Sequence, residues 1–287
     1  MTRAENSLLK IFLNEHCNIS YRQQRHAAWS NESRPDYTVI FVVGGTLDCE
    51  IAKTNIELSA GSFLLANPGM SSKCRSSVGP VLSLGIAPSM VVDCGMRTGL
   101  GTSTNDISLR SETALRDVGM TRLIDDLSRE ILDAEPGHEA VIAAVVEQIV
   151  IHLLRHYATF RQTASLELSR VGVVDRRIRR AIELMVAQLD QELSLRDLAA
   201  ASYLSTFHFA RLFKKLTGTT PHAYLAALRN STAQKLLAET DLSVTEISSR
   251  VGYSTPSHFS KGFRQATGFT PRAFRAALIS RNNSSLS

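Results

Sequence analysis

Near the C-terminus, two cationic side chains recur at one spacing behind a histidine–phenylalanine pair. Arg211 stands three residues after His208, and Lys261 three residues after His258. Lys214, Lys215 and Arg264 follow within the next helical turn. An arginine fork matches the O6 and N7 acceptors that guanine shows in the DNA major groove. Lysine meets the same edge as a point donor, with less geometric selectivity. Cations one turn further suit phosphates, which add affinity and salt dependence but carry no base information. The chemistry these residues can do is recognition of duplex DNA.

Both groups sit in segments that are imperfect copies about fifty residues apart. One reads Ser205-Thr-Phe-His-Phe-Ala-Arg-Leu-Phe-Lys-Lys-Leu-Thr-Gly218-Thr-Thr-Pro221, the other Thr255-Pro-Ser-His-Phe-Ser-Lys-Gly-Phe-Arg-Gln-Ala-Thr-Gly268-Phe-Thr-Pro271. A duplicated unit means one physical task performed twice. At 100° per residue, Phe209, Leu212, Phe213 and Leu216 share a face that must be buried. The opposite face presents Phe207, Arg211 and Lys214, flanked by His208, Ala210 and Lys215. The second copy buries Phe259, Phe263 and Ala266, and presents Ser257, Lys261 and Arg264, flanked by His258 and Ser260. Phe207 on the outer face fits a thymine methyl or the sugar-phosphate edge, or packs on the preceding helix. His208 and His258 fit hydrogen bonds at a helix start better than metal ligation, since no Cys or second His lies nearby.

A helix rich in Leu195, Leu198, Ala199 and Ala201 precedes the first copy, so each unit reads as a helix-turn-helix. Helices are expected near 176–189, 195–202, 206–216, 221–239, 244–251, 256–266 and 271–279, with Asp175 as an N-cap. Pro221 and Pro271 suit first helical positions, and Gly218 and Gly268 suit helix ends. The helix from Pro221 to Glu239 spans roughly 28 Å at 1.5 Å per residue. Successive major-groove segments lie about 34 Å apart, so this connector can set both units on one side of a duplex. Its stripe of Leu225, Leu228, Ala233, Leu236 and Leu237 clamps the units. Arg229 beside the stripe reads as a structural salt-bridge partner or a phosphate contact, with structure favoured.

Charge divides the chain in the same place. Residues 1–169 hold 15 Lys and Arg against 19 Asp and Glu, whereas residues 170–287 hold 17 against 8. A basic C-terminal part beside a mildly acidic N-terminal part suits a nucleic-acid module joined to something else. No run approaches the roughly 18 apolar residues of a membrane span, and Ser7–Leu13 is too short and too broken by Lys10 for a secretory signal. The reading is a cytoplasmic protein. Cys17, Cys49, Cys74 and Cys94 form no C-x-x-C pair, which argues against zinc and against a disulfide framework. Cys49 and Cys94 sit in strand-like apolar runs and read as core.

The N-terminal part reads as β. Strands are expected at Tyr37–Val43, Thr46–Ile51, Ile56–Leu58, Ser62–Ala66 and Val81–Ile86, punctuated by Gly and Pro turns. Many short strands of this kind make a sandwich or small barrel. Leu115, Val118, Leu123, Leu127 and Ile131 then mark a helix over Thr113–Ala134, and a very apolar helix follows over Glu139–Tyr157. These two helices either cover the open side of the barrel or pair with a second subunit. Arg161–Val173 has no period. The fold expected is α+β: a barrel domain with two helices over 1–165, a linker at 166–174, and an all-α domain of two helix-turn-helix units over 175–287.

Residues 174–279 resemble the DNA-binding domain of the AraC/XylS family of bacterial transcription regulators. The motifs carrying the likeness are the doubled Ser/Thr-x-x-His-Phe-x-Arg/Lys-x-Phe-Lys/Arg helix and the Thr-Gly-x-Thr-Pro after each. To these add Arg229-x-x-x-Ala233-x-x-Leu-Leu237 and Glu246-Ile247 with Val251-Gly252-Tyr253. The resemblance implies base-reading positions at Phe207, His208, Ala210 and Arg211, then at Pro256, Ser257, His258, Ser260 and Lys261. It implies promoter DNA as ligand, RNA polymerase as partner, and a cupin-like N-terminal domain that binds a small effector and forms a homodimer. Relatives in the family sense fatty acids or sugars, and others bind a regulatory protein. No cofactor or metal is called for: Gly61–Ala66 lacks the His of enzymatic cupins. Arg22, Arg25, Lys53, Lys73 and Arg75 are candidate pocket cations, with exposed surface charge the plainer reading.

Two departures from the family pattern stand out. The turn glycine is present as Gly252 but replaced by Tyr203 in the first unit, and a positive φ there costs about 1 kcal/mol or more. The second helix carries no Arg on its base-facing side. The function expected is a sequence-specific regulator, an activator rather than a repressor. The alternative makes the N-terminal domain a protein-interaction module bound by an anti-activator. An enzyme reading, DNA-repair methyl transfer, needs clustered Cys ligands and a Pro-Cys-His nucleophile that the chain lacks.

Overall fold

The computed structural model describes residues 8–23, 28–31, 36–51, 54–70, 72–101, 105–110, 114–162, 176–217 and 219–279. The expected linker, the Asp175 cap, Gly218, Arg25 and Lys53 lie outside them.

The strands of the N-terminal half are β1 (Leu8–Leu13), β2 (Cys17–Gln23), β3 (Ala28–Asn31), β4 (Tyr37–Val42), β5 (Thr46–Ile51), β6 (Thr54–Ser59), β7 (Ser62–Ala66), β8 (Ser72–Val78) and β9 (Pro80–Ile86). Helix α1 (Pro88–Thr98) follows, then β10 (Asn105–Leu109), β11 (Leu115–Arg116), α2 (Val118–Asp133), α3 (His138–His156) and β12 (Ala158–Gln162). A six-stranded sheet runs β1-β2-β9-β4-β7-β11, a four-stranded sheet runs β3-β8-β5-β6, and β10 pairs with β12.

The six-stranded sheet is the middle layer, which explains why β4 and β7 are buried at every position. Ile40, Val42, Leu64 and Val81 face the four-stranded sheet and meet Leu47, Cys49, Ile51, Leu58 and Cys74. On its other side, Val39, Phe41, Phe63, Leu65, Leu82 and Leu84 meet Met120, Ile124, Leu127 and Ile131 of α2 and the apolar face of α3. Of the two roles open to these helices, covering the sheet is the one their apolar stripes take.

Three sequence expectations are corrected. Cys94 lies in a helix rather than a strand: Pro88 opens α1 and Gly99, at φ +69°, closes it. Leu115 lies in β11, pairing with Phe63, and α2 starts only after its cap at Asp117. Val118 is 70% exposed, so the buried stripe of α2 runs through Met120 instead.

The C-terminal half contains α4 (Arg176–Ala187), α5 (Leu195–Ala201), α6 (Thr206–Thr217), α7 (Pro221–Glu239), α8 (Val244–Arg250), α9 (Pro256–Thr267) and α10 (Pro271–Ala276). One cluster joins α4, α5 and α6 through Ile178, Met185, Leu198, Phe209 and Phe213, and Leu225 of α7 completes it. The other joins α7 to α10 through Ala233, Leu237, Ile247, Phe259, Phe263 and Phe274. Ile11 of β1 enters this second cluster. Its amide donates to the Ala277 carbonyl at 2.8 Å, and its carbonyl accepts from the Ile279 amide at 3.0 Å. The first strand thereby knits the end of the described chain onto the N-terminal sheet.

Candidate nucleic-acid interface

The duplication seen in the sequence extends to the helix N-caps. Ser194 and Asp197 form a capping box on α5, and Ser243 and Glu246 repeat it on α8. Ser205 Oγ accepts from the His208 amide at 3.4 Å, and Thr255 Oγ1 from the His258 amide at 3.2 Å. Thr220 and Thr270 cap α7 and α10, each followed by proline at the first helical position. Thr217 and Thr267 each donate their hydroxyl back to a phenylalanine carbonyl, Phe213 and Phe263, at 2.8 Å.

Packing repeats too. Phe209 and Phe213 have ring centroids 5.5 Å apart, Phe259 and Phe263 5.6 Å. Tyr224 meets Phe213 edge-on at 5.4 Å, and Phe274 meets Phe263 at 5.3 Å. Arg229 donates to the carbonyls of Leu189 at 3.1 Å and Gln191 at 2.7 Å, just past the end of α4. Arg275 does the same around the end of α7, reaching Leu237 in its last turn and Thr240 and Leu242 beyond it. Arg229 is therefore structural, but it binds backbone carbonyls of the turn after α4, not an acid. Arg275 has no counterpart in the sequence reading, because its offset from Arg229 differs by about one helical turn from the rest of the repeat.

These bonds fix α6 and α9 with one face inward and the other outward. Phe207, His208, Arg211, Lys214 and Lys215 are exposed on α6, with Ala210 half-buried. Phe207 is 76% exposed, so the alternative of packing on the preceding helix is not what it does. On α9, Pro256, Ser257, His258, Lys261 and Arg264 are exposed and Ser260 is half-buried. His258 stacks edge-on with Tyr253 at 5.4 Å. Tyr203 takes φ +54° at the turn where Gly252 takes +77°, so the left-handed turn is common to both units.

The two faces have unequal surroundings. Helix α9 packs beside β3. Lys261, Arg264 and Gln265 line a cavity of about 860 Å³ together with Asp48, Glu50, Glu57, Lys73 and Arg75 of the four-stranded sheet. A groove about 12 Å wide with phosphate walls would bring DNA against this sheet as well as against α9. The corresponding residues of α6 line neither this cavity nor the other large one.

Arg22 corrects a further expectation. It is 5% exposed rather than a surface charge. Its Nη2 donates to the Thr267 carbonyl at the end of α9 at 3.4 Å, and its guanidinium lies 4.5 Å from the Phe269 ring. Lys73 pairs with Glu50 at 3.6 Å and remains exposed. A second cavity of about 800 Å³ also lies between the halves, lined by His16, Asn18, His222, Gln234, Lys235 and Tyr253 among others.

All four cysteines are buried. Cys49 and Cys74 face each other across β5 and β8 with sulfurs 2.7 Å apart, and their contact, then burial, raises the Cys49 thiol above its ordinary range. Burial pushes Cys17 up to about 12. Neutral buried thiols are poor nucleophiles. Among the described residues, no group of three or more His, Cys, Asp or Glu is arranged to hold a metal, and no helix is long and apolar enough to cross a membrane.

Residues 198–277 match a family model described as a helix-turn-helix domain. The lactose operon transcription activator of Staphylococcus xylosus is 27% identical over 157 residues, 55% of this chain and 50% of the activator. Residues 198–277 are a helix-turn-helix domain of the AraC type. The chain spans about half the length of that curated relative. ToxT of Vibrio cholerae, as an apo single-substitution variant, superposes with a TM-score of 0.62 over 92% of this chain and 98% of that one, at 12% identity. ToxT with an unsaturated fatty acid bound gives 0.58 over 98% and 99%, again at 12% identity. At that identity the likeness is one of fold: the chain shares the β-rich N-terminal and helical C-terminal halves of ToxT.

Proposed function

We propose that the chain is a sequence-specific transcription activator that reads promoter DNA through α6 and α9 under the control of its N-terminal half. The observation that carries this reading is the pair of outward cationic faces on two similarly capped and packed units, joined by one 19-residue helix. Arg211 reads guanine, Phe207 and Ala210 take neighbouring base edges, and Lys214 and Lys215 hold phosphates. On the second helix, Ser257, His258, Ser260 and Lys261 face the groove and Arg264 a phosphate, with Pro256 at the entry end.

The N-terminal half controls the second helix. In the closed arrangement, acidic Asp48, Glu50 and Glu57 stand across the cavity from Lys261 and Arg264. A small effector lodged between the halves shifts the balance between closed and open forms, by as much as its affinity for the two differs. Two cavities at that junction favour this reading over control by an anti-activator protein. The fatty acid bound to ToxT makes an amphipathic carboxylate a reasonable first ligand to try. RNA polymerase and a second copy of the chain are the remaining partners of the proposal.

The test is selection of duplexes from a random library by the full chain, with and without cell-extract metabolites. Enrichment of one motif, altered by the extract, supports the reading. Failure to enrich any sequence in either condition refutes it.

A further inference from the structure

The turn of the first helix-turn-helix unit is bent against the preference of its own residue. Tyr203 holds φ +54° where the second unit has Gly252. Strain of this kind persists where the surroundings enforce it, and it concentrates at functional sites. The ring contributes little to the fold: it is 79% exposed. What it touches is a cation, the Arg180 guanidinium, 5.2 Å from the ring centroid.

Arg180 belongs to a dense group. Arg176, Arg177, Arg179 and Arg180 fill four of the first five positions of α4, with no acid in the first turn. A helix N-terminus is already the positive end of the helix dipole, so cations placed there oppose it. Helix stability does not account for them. Ser202 Oγ donates to the Arg177 carbonyl at 2.9 Å, which ties this cationic turn to the turn carrying Tyr203. Both lie beside the N-terminal end of α6, the end that leads a recognition helix into the major groove. Phe207, 76% exposed, stands four residues further on. The position of Tyr203 and Arg180 is therefore that of the backbone wall flanking the groove.

We propose that Tyr203 and Arg180 form a phosphate clamp on the strand flanking the first recognition helix. The tyrosine hydroxyl donates one hydrogen bond and the guanidinium donates charge-assisted bonds to the same phosphate, with the ring–cation contact holding both in place. The strained turn is retained because it aims the ring. Gly252 has no side chain to do this, so the clamp belongs to the first unit alone. This inference rests on the DNA-binding reading above.

The experiment measures anisotropy of a library-selected duplex against the full chain from low to physiological salt, beside thermal melts. Y203G is expected to melt at or above the wild-type temperature, since glycine relieves the turn, while binding the duplex more weakly. Y203F is expected to lose about three- to ten-fold in affinity with the salt slope unchanged. R180Q is expected to lose at least about ten-fold and to lower the log–log salt slope by about 0.9. Wild-type binding is the control: its absence would fault the DNA-binding reading itself. With wild-type binding intact, Y203F and R180Q within two-fold of wild type would overturn the clamp.

Discussion

Arg22 of β2 is buried in the far half of the molecule, donating to the Thr267 carbonyl at 3.4 Å where α9 ends. The same guanidinium lies 4.5 Å from the Phe269 ring. One residue of the N-terminal half thus grips the last turn of α9. With β1 bonded to Ala277 and Ile279, it defines the closed arrangement.

Removing that grip should free α9. A hydrogen bond from a buried cation contributes about 1.5–3 kcal/mol. R22A is expected to lower the thermal midpoint and to raise affinity for a duplex carrying both half-sites by roughly ten-fold, since the closed form no longer competes as strongly. An anisotropy titration of the full chain measures this. A variant that binds more weakly than wild type would show that Arg22 supports the DNA-bound form instead.

Asp117 gives a pH signature. It accepts from the Met120 amide at 3.0 Å, and from His152 Nε2 and the Tyr157 hydroxyl, both at 2.8 Å. Partial burial opposes ionisation, yet those bonds hold the carboxyl well below the usual carboxylate range. The folded state therefore favours the carboxylate. Its contribution is full above about pH 4, the unfolded value, and drains as pH falls further. Burial, then the bond to Asp117 and its charge, push Tyr157 up to about 12. That favours the neutral phenol, so its contribution holds below about pH 10 and is lost as pH rises through about 12. D117N should cost about 1.5–3 kcal/mol at pH 7 and flatten the acid limb below pH 4. Melts of the variant with an unaltered acid limb would contradict this.

Arg211 and Lys214 should separate base reading from phosphate holding. R211A is expected to cost about 1–3 kcal/mol on the selected duplex and to relax the choice of base at one position. K214A should weaken every duplex alike and lower the salt slope by about 1. Affinities for a panel of single-base variants across salt distinguish the two. If the variants behave alike, the assigned division of the α6 face is wrong.

The two turns predict opposite responses to substitution. A Cβ on Gly252 would meet the Leu189 carbonyl oxygen at 2.4 Å and the Arg229 guanidinium at 2.6 Å, with φ at +77°. G252A should therefore cost about 2 kcal/mol or more: roughly 1–2 for the left-handed turn, plus disruption of the Arg229 bonds. R229K should cost a similar amount, because lysine lacks the fork that spans Leu189 and Gln191. Chemical denaturation reads both. A neutral G252A would mean that the turn relaxes freely.

The helical half was legible because its signals are local. Caps and a 3.6-residue period fix α6 and α9, N1 prolines fix the helices that follow them, and periodicity alone put Arg211 and Lys261 outward. The β half was less legible: β1 has only its hairpin partner β2, while β2 and β8 are completed by β9 and by β3 and β5, far away in sequence. Helix α1 was missed although Pro88 and Gly99 mark its ends, because its apolar residues also read as a strand. Arg22 was misjudged for a different reason: nothing near it in sequence reveals Thr267 or Phe269. Nor could the sequence show that α9, and not α6, faces the acidic sheet, since that depends on how the halves dock.

The central claim is sequence-specific DNA binding through these two helices, and a salt-resolved titration of the full chain tests it most directly. Wild type should bind a library-selected duplex at least about 1,000-fold tighter than a scrambled one at physiological salt. R211A should erase much of that ratio while leaving binding to the scrambled duplex nearly intact. Equal affinity of wild type for the selected and scrambled duplexes would contradict the account.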